Sequence, residues 1–392
     1  VHVVDVKPSI VEDVYQVKVE QGYAGEIGAV VDGYNMFNTI KQALDFLALD
    51  IIDGSKSKHL VIGEGTFNEK LEIEIPYLTI TGAGADKTLI EWDSLYGLED
   101  ESGYTHTTDS TQTVAVREAA LGLVIEEITL SNYWNSLARF DEKLGEKYPE
   151  HRALALLIQA DKVIVRNAAL LGYQDTVEFM TGRQYLENVL IQGTTDFIFG
   201  TNNTTYFKNC TIHSIDNGST QGGYITAFKG NNKGDGDYVQ YGAIFDQCIF
   251  TADEAVLANG NTAIGRPWAK YAAVMVMNSE LGSHISLVWA TGAARNERYV
   301  SMNALPTDET VKFTEYNNTG AGAIAEEVAG MRFVSPEEAV NYSDYKVIFG
   351  KSNGKVTYLD AWNPDQHGVQ LDERTYYYFN QEASQTGTSY TF

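Results

Sequence analysis

The chain has 392 residues, 44% of them hydrophobic, so it can bury a large core. Acidic residues outnumber basic ones by 53 to 28, and the net charge of −25 disfavours nucleic acid and anionic membrane surfaces as partners. The longest apolar runs are too short to span a bilayer, and two cysteines exclude a dense disulfide framework.

The chain begins at Val1, without the basic and apolar stretches of a signal peptide. We interpret it as a trimmed chain from which an export signal has been removed. The first predicted element is an amphipathic helix that follows Phe37 and places Ile40, Leu44 and Leu47 on one face. We expect this helix to cap one end of a repetitive fold, because terminal repeats otherwise expose core and strand edges.

Two long excursions come next along the chain. One begins at Trp92 and the other, which is highly charged and has some helical periodicity, begins at Ser131. Long loops on a rigid scaffold commonly carry binding residues. We expect both to wall a cleft.

A repeat follows the second excursion. Three segments align without gaps: VRNAALLGYQDT from Val165, LENVLIQGTTDF from Leu186 and FKNCTIHSIDNG from Phe207. Their asparagines, Asn167, Asn188 and Asn209, are spaced by 21 residues. Strand-type residues with a period in the twenties predict an all-β solenoid, a parallel β-helix whose equivalent positions lie one strand spacing apart, about 4.8 Å.

The repeat suggests one domain over residues 1–392. We expect an N-terminal cap over about 1–58, coils over about 59–330, and a C-terminal helix and tail over about 331–392. A further coil starts at Ala243, after a surface loop from Lys229 that is rich in Gly, Asn and Asp. A short helix from Pro336 to Tyr345 could form the second cap.

Two aspartates share the phase of the repeat. Asp175 and Asp196 are 21 residues apart, so the coils should stack them within roughly 5 Å by strand spacing. Two carboxyls that close cannot both ionise cheaply, which yields an acid and a nucleophile at one pH. The alternative, that both are surface turn residues, is disfavoured by this phase and by the apolar Phe-Ile-Phe run after Asp196.

An Arg-Pro-Trp motif lies downstream, with Arg266 and Trp268, and Trp289 follows Trp268 by 21 residues. Arginine can hold a carboxylate ionised and oriented. Taken alone the motif is weak, because Arg and Trp often pair on surfaces. Together with GYQDT and GTTDFIFG, in this order, it resembles the signature blocks of the pectin methylesterases.

The resemblance implies a right-handed parallel β-helix that needs neither metal nor cofactor, and a secreted esterase acting on methylated polygalacturonate. It implies that Asp196 is the nucleophile and that Asp175 is the acid and base. Gln174 would donate to the oxyanion, and Arg266 would hold Asp196 as a carboxylate.

The resemblance also implies a sugar-binding cleft lined by Phe199, Trp268 and Trp289, although Phe199 could instead belong only to the core. Glu178 stands at a substrate-binding position where the family commonly has tyrosine, which puts sugar contacts there in question. Val189 replaces a frequent cysteine, which is ordinary core variation.

Arg152 is the main departure from the family pattern, because it replaces a glutamine that would be a second oxyanion donor. Three possibilities stay open. Arg152 takes over that role, it forms an ion pair with Asp196, or it points away while another group donates.

The remaining motifs argue against other hydrolytic chemistries. The seven histidines form no metal-ligand pattern, and no serine lies in a Gly-x-Ser-x-Gly elbow. Cys210 and Cys248 occupy equivalent steps of the repeat, so buried free thiols are predicted.

Two other functions stay open. A pectate lyase or polygalacturonase could use the same scaffold, and a solenoid that only binds carbohydrate or cleaves another ester would fit the change at Arg152. For the favoured esterase we expect a secreted monomer whose partner is methyl-esterified homogalacturonan. The negative charge should favour the neutral, methylated parts of that polymer.

Overall fold

The computed structural model describes residues 10–11, 13–49, 51–133, 151–216, 222–230, 241–287, 297–350 and 362–366. Over these ranges the chain is mostly β-strand, and none of the helices within them is long and apolar enough to cross a membrane. The strands, in chain order, are β1 (Ile10–Val11), β2 (Val14–Val19), β3 (Val30–Val31), β4 (Tyr34–Phe37), β5 (Lys58–Ile62), β6 (Gly65–Asn68), β7 (Leu71–Ile73), β8 (Leu78–Thr81), β9 (Thr88–Trp92), β10 (Val114–Val116), β11 (Val124–Glu126), β12 (Thr129–Asn132), β13 (Leu156–Ile158), β14 (Val163–Arg166), β15 (Ala169–Leu171), β16 (Val177–Glu187), β17 (Leu190–Gly193), β18 (Thr195–Lys208), β19 (Thr211–Ser214), β20 (Tyr224–Phe228), β21 (Gly242–Asp246), β22 (Ile249–Ala252), β23 (Ala263–Gly265), β24 (Ala273–Met277), β25 (Glu280–Leu281), β26 (Lys312–Tyr316) and β27 (Met331–Phe333).

Apart from β1, β3 and β4 at the N-terminal end, these strands stack into three parallel ladders. The first ladder contains β2, β5, β8, β11, β14, the C-terminal part of β16 and of β18, β21, β24, β26 and β27. The second contains β7, β10, β13, the N-terminal part of β16 and of β18, β20 and β23. The third runs from β6 through β9, β12, β15, β17, β19 and β22 to β25. The predicted parallel β-helix is confirmed.

The 21-residue period is the length of one complete coil in the centre of the molecule, whereas coils on either side are longer. Val177 on β16 pairs with Ile198 on β18, and Leu186 pairs with Phe207 in the same register. Inward-facing residues therefore stack in columns, as where the rings of Phe207 and Phe245 lie parallel with centroids 4.4 Å apart. Side chains that alternate between the two faces of each strand place this apolar column inside the coils.

The asparagines of the repeat turn the chain from the first ladder to the third. Asn167, Asn188 and Asn209 all have positive φ, between 46° and 54°, a conformation that Asn tolerates better than most residues. Their amides form a chain in which Nδ2 of Asn188 donates to Oδ1 of Asn167 at 3.0 Å and Nδ2 of Asn209 donates to Oδ1 of Asn188 at 2.6 Å. Asn278 and Asn317 continue this pattern in later coils, which the sequence spacing did not reveal.

The interior also contains the two cysteines. Cys210 and Cys248 are buried and both are free thiols, as predicted. Burial raises the pKa of the Cys248 thiol well above its ordinary value.

The N-terminal helix α1 (Ile40–Leu47) closes one end of the interior. The Thr39 hydroxyl accepts a hydrogen bond from the backbone N–H of Gln42 at 3.2 Å and so caps its first turn. Ile40, Leu44 and Leu47 are buried within the same apolar cluster as the coils. Parallel pairing already begins at β2 and β4, within the region predicted as the cap.

The C-terminal helix is present but lies elsewhere than predicted. Helices α3 (Pro336–Ser343) and α4 (Tyr345–Ile348) follow a short helix α2 (Glu254–Leu257), and Ser335 caps α3. Tyr342 and Phe349 pack with Tyr185 and Tyr206 against the outer face of the first ladder. The helices therefore cover the flank of the solenoid rather than its end, because outward-facing tyrosines on the coils offer an apolar surface there.

Two predicted loops are only partly within the described ranges. The excursion from Trp92 is described, and it contains the bridge between Glu99 and Thr105 and a 3-10 helix at Thr108–Ser110. Residues 134–150 of the second excursion and 231–240 of the loop after Lys229 lie outside them. The coil predicted from Ala243 is confirmed as β21 and β22.

Candidate active site

The two aspartates occupy equivalent corners of adjacent coils, where the chain passes from the third ladder to the second. Asp175 precedes β16 and Asp196 lies at the start of β18, and both have positive φ, 60° and 49°. The backbone N–H of Asp175 donates to the carbonyl of Thr195 at 3.0 Å. The corner is tight, because a Cβ on Gly193 would lie 2.5 Å from the carbonyl oxygen of Tyr173.

Arg266 holds Asp196 with two hydrogen bonds. Its Nε donates to Oδ1 at 2.7 Å and its Nη2 donates to Oδ2 at 2.5 Å. The guanidinium lies 4.1 Å from the ring centre of Tyr224, and the Arg266 backbone N–H donates to the Thr226 carbonyl. Arg266 follows directly after β23, which pairs with β20. Because β20 in turn pairs with β18, the strand that contains Asp196, the stacked coils place the guanidinium beside Asp196.

Burial and charge give Asp175 and Asp196 different protonation states. Both aspartates are buried, each with 6% of the whole residue exposed. Burial, followed by the charge of Asp196, raises the pKa of Asp175 well above its ordinary value, and Arg152, Arg266 and Gln174 oppose this only in part. Burial also raises the pKa of Asp196, but the Arg266 guanidinium opposes it by hydrogen bonding directly to the carboxylate. The proton of the pair therefore belongs on Asp175.

Gln174 and Arg152 lie side by side next to Asp175. Their backbones form a parallel bridge, and the Gln174 side chain hydrogen-bonds to Asp175. The Arg152 guanidinium lies 4.0 Å from the ring centre of Tyr96, and its Nη1 donates to the Thr108 hydroxyl at 3.1 Å. Among the described residues Asp196 forms its ion pair with Arg266 and not with Arg152, which was one of three possibilities raised by the sequence.

Glu178 is buried at 3% exposure, although its strand position faces away from the interior. It pairs in register with Leu157 on one side and Phe199 on the other. Burial, the charges of Asp109 and Asp175, and a hydrogen bond with Asp109 raise the pKa of Glu178 to about 9. The side chain is therefore a neutral acid at pH 7.

Two of the three predicted aromatic residues meet at the site. The rings of Phe199 and Trp268 contact edge to face, with centroids 6.1 Å apart. Phe199 belongs to a small apolar cluster outside the main core, so it is not merely an interior residue. Trp268 is half-buried, and the Lys229 ammonium lies 5.5 Å from its ring centre. Trp289 lies outside the described residues.

Four residues near the site were not found from the sequence: Tyr96, Thr108, Asp109 and Tyr224. The first three belong to the excursion from Trp92, which has no repeat phase that could align it with the coils. Tyr224 pairs with Thr195, and their separation of 224 − 195 = 29 residues exceeds the 21-residue period, so this register could not be counted. Within the described ranges, no group of three His, Cys, Asp or Glu side chains is arranged to hold a metal ion.

Comparison with known proteins decides the family. A model described as Pectinesterase matches residues 26–351. The chain belongs to the pectinesterase family.

Individual relatives agree with this assignment to the pectinesterases. The chain is 28% identical over 334 residues to probable pectinesterase 29 of Arabidopsis thaliana, covering 83% of this chain and 88% of that one. It is 30% identical over 290 residues to probable pectinesterase A of Neosartorya fischeri, covering 73% and 76%. Its fold matches the pectin methylesterase PemA of Erwinia chrysanthemi with a TM-score of 0.68 at 20% identity, covering 89% and 98%.

Proposed function

We propose that this pectinesterase hydrolyses the methyl esters of polygalacturonate and releases methanol. The observation that carries the proposal is the corner shared by Asp175 and Asp196, in which Arg266 holds one carboxylate and burial keeps the other protonated. An acid and a nucleophile side by side are what acyl transfer from an ester requires.

In the first step, an oxygen of the Asp196 carboxylate attacks the carbonyl carbon of the methyl ester. The bond from that carbon to the methoxy oxygen breaks, and Asp175 gives its proton to the departing methoxide, so methanol leaves. The galacturonoyl group is then joined to Asp196 as an anhydride, and Asp175 is a carboxylate.

In the second step, a water molecule attacks the galacturonoyl carbonyl carbon of the anhydride. The Asp175 carboxylate accepts a proton from that water, and the bond to Asp196 breaks. The products are a galacturonic acid unit, an Asp196 carboxylate and a protonated Asp175, which is the starting state. Arg266 stabilises the Asp196 carboxylate before and after each cycle.

Negative charge on the carbonyl oxygen during each attack needs hydrogen-bond donors. Gln174 supplies one, since its amide lies beside Asp175. Arg152 supplies the second, because its backbone pairs with that of Gln174 and its charge acts on Asp175. The Tyr96 ring and the Thr108 hydroxyl orient its guanidinium.

The polymer would lie over Phe199 and Trp268, whose ring faces suit the hydrocarbon faces of pyranose rings. Trp289 and Glu178 are assigned to the same cleft. We expect the protein to act outside the cell, because its substrate is an extracellular polymer. We also expect it to act as a monomer and without a cofactor. The net charge of −25 favours the methylated, neutral stretches of that polymer.

The test is titration of acid and methanol released from highly methylated pectin at constant pH. We expect wild-type protein to release both in equal amounts, and Asp196→Asn to lose roughly 10⁴-fold or more in kcat while staying folded. A folded wild-type protein that releases no methanol would end the proposal.

The products formed in the same assay distinguish the esterase from the alternative functions. A lyase would need calcium and would give an unsaturated product that absorbs in the ultraviolet, and a polygalacturonase would shorten the chain without releasing methanol. A protein that only binds would retain pectin on a column without any product.

A further inference from the structure

A hydrogen-bonded network begins and ends at Arg152. Nη1 of its guanidinium donates to the Thr108 hydroxyl at 3.1 Å. The Thr108 carbonyl accepts a hydrogen bond from the Thr111 hydroxyl at 2.7 Å, and the same hydroxyl accepts one from the backbone N–H of Leu154 at 3.1 Å. Since Leu154 lies two residues after Arg152, the Thr111 hydroxyl links the guanidinium of this arginine to the backbone that carries it. We call these four residues the Thr111 network.

The Thr111 hydroxyl is not needed to close the local turn. Thr111 follows the 3-10 helix at Thr108–Ser110, and its backbone N–H already donates to the Thr108 carbonyl at 3.0 Å. What the hydroxyl adds is a connection between this turn and the segment of Arg152, because the same oxygen also accepts from Leu154. Thr111 is completely buried, so it cannot touch a polymer and can influence the reaction only through other residues.

The Asn132 side chain holds the backbone on both sides of the Thr111 network. Its Nδ2 donates to the carbonyls of Ser94, Thr111 and Leu154, at 3.1, 2.9 and 3.2 Å. Ser94 and Thr111 lie near the two ends of the loop that contains the 3-10 helix, and Leu154 lies just before β13. One buried amide therefore fixes both ends of that loop against the segment ahead of β13.

We infer that Thr111 is a positioning residue for Arg152, and that its hydroxyl keeps the guanidinium at the place from which it donates to the oxyanion. This inference rests on the proposed function and on the role given there to Arg152. Arginine has a longer side chain with more rotatable bonds than glutamine, so ordering it costs conformational entropy. A donor that is already held in place avoids this cost when charge develops in the transition state.

The test is a double-mutant cycle in which kcat is measured for methanol release from methylated pectin. Thr111→Val keeps the size of the side chain and removes the hydroxyl, so we expect kcat to fall roughly tenfold and KM to stay within about threefold. In the Arg152→Met background the same substitution should change kcat by less than about twofold, because no guanidinium is left to position. Thr111→Ser retains the hydroxyl and should keep kcat within about twofold of wild type.

Thr113→Val is the matched control. The Thr113 hydroxyl is also completely buried, and it donates to the Ser131 carbonyl at 2.8 Å, so it lies outside the Thr111 network. Thr113→Val should lower Tm to a similar extent and leave kcat within about twofold of wild type. A fall in kcat as large as that of Thr111→Val would show that kcat follows general destabilisation, and would overturn the inference.

The pH profile gives a second readout that a purely structural role would not move. Burial and then the charge of Asp196 raise the pKa of Asp175, and the charges of Arg152 and Arg266 oppose them. If the Arg152 guanidinium moves away in Thr111→Val, the pKa of Asp175 rises further. Asp175 must be protonated to donate to the departing methoxide, so the basic limb of kcat/KM should move to higher pH. The limb should not move in the matched control.

Two results overturn the inference. One is an equal fall in kcat on Thr111→Val with and without Arg152, and the other is a folded Thr111→Val variant with the kcat and the basic limb of wild type. If Thr111→Val does not fold, Thr108→Val breaks the network at a half-buried position and must show the same dependence on Arg152. Failure of the proposed function is recognised separately, by wild-type protein that releases no methanol from pectin.

Discussion

Arg266 and Asp196 form a two-pronged ion pair in which each carboxylate oxygen accepts one guanidinium hydrogen bond, at 2.7 and 2.5 Å. The pair is largely withdrawn from solvent, with side-chain exposures of 20% and 9%. In such surroundings the guanidinium fixes both the charge and the direction of the carboxylate. Because the adjacent Asp175 lacks this partner, the two aspartates differ although the repeat places them equivalently.

Arg266→Lys should therefore slow the esterase and shift its pH profile. A lysine donates from one point and cannot hold both oxygens, so we expect kcat to fall roughly 10- to 100-fold. Arg266 counteracts the effect of burial on the pKa of Asp196, so weakening it raises that pKa further. The acidic limb of kcat/KM should move to higher pH, because the nucleophile is protonated sooner as pH falls.

The matched control is Arg298→Lys. Arg298 makes a similar two-pronged pair with Glu315, at 2.6 and 2.7 Å, and its other hydrogen bonds go to the carbonyls of Ser286 and Gly322 rather than to the aspartates. Arg298→Lys should reduce the stability of the protein without moving the acidic limb of kcat/KM. An unmoved limb in Arg266→Lys would contradict the role given to Arg266.

Glu178→Gln should stabilise the protein at neutral pH and not at acidic pH. Burial and the charges of Asp109 and Asp175 raise the pKa of Glu178 from 4.5 to about 9. The stability contributed by its protonation is complete below pH 4.5 and is lost progressively as the pH rises towards 9. At pH 7 the loss is at most about 3 kcal/mol, which a neutral glutamine avoids.

Thermal unfolding of wild type and Glu178→Gln from pH 4 to pH 8 measures this effect. The difference in Tm should grow with pH over that window. A difference that is constant across it would show that Glu178 does not titrate as its surroundings require.

Substitution of Asn188 should separate backbone strain from side-chain hydrogen bonding. Asn188 has a φ of 54° and bonds through its amide to Asn167 and Asn209. Asn188→Gly keeps the backbone conformation and loses only these exposed bonds, so we expect about 0.5–1 kcal/mol of destabilisation. Asn188→Ala adds strain of about 1 kcal/mol.

Urea unfolding provides both values, and pectin demethylation should be preserved in both variants. Equal destabilisation by Gly and Ala would mean that the positive φ at this corner carries no cost.

Replacement of Arg152 tests whether it serves as the second oxyanion donor. Arg152→Gln retains N–H donors, so kcat should stay within roughly tenfold of wild type. Arg152→Met retains length but no donor and should lower kcat by roughly 10²-fold with a smaller change in KM. Steady-state kinetics on methylated pectin measures both values. An Arg152→Met variant as fast as wild type would show that another group is the second oxyanion donor.

Much of the site could be predicted from the sequence, because stacked coils bring together residues that are separated by a fixed number of positions. In the central coils, a length of 21 residues carries each position onto its equivalent in the next coil, so the stacking of Asn167, Asn188 and Asn209 and the pairing of Asp175 with Asp196 follow from counting. Helix α1 is local in the same sense, because its apolar face and its Thr39 cap depend only on residues close together in the sequence. The position of the C-terminal helix could not be counted, since it depends on tyrosines of distant coils.

What the sequence alone determined is the repeat of the central coils, and with it the parallel β-helix and the shared corner of the two aspartates, because the coils that carry Asp175 and Asp196 have the same length of 21 residues. The tertiary structure decided which groups surround that corner. Tyr96, Thr108 and Asp109 arrive on a loop with no period, and Arg266 reaches Asp196 from 70 residues away. Such contacts depend on how non-repeating segments pack in three dimensions, and that packing sets the charge of each carboxyl.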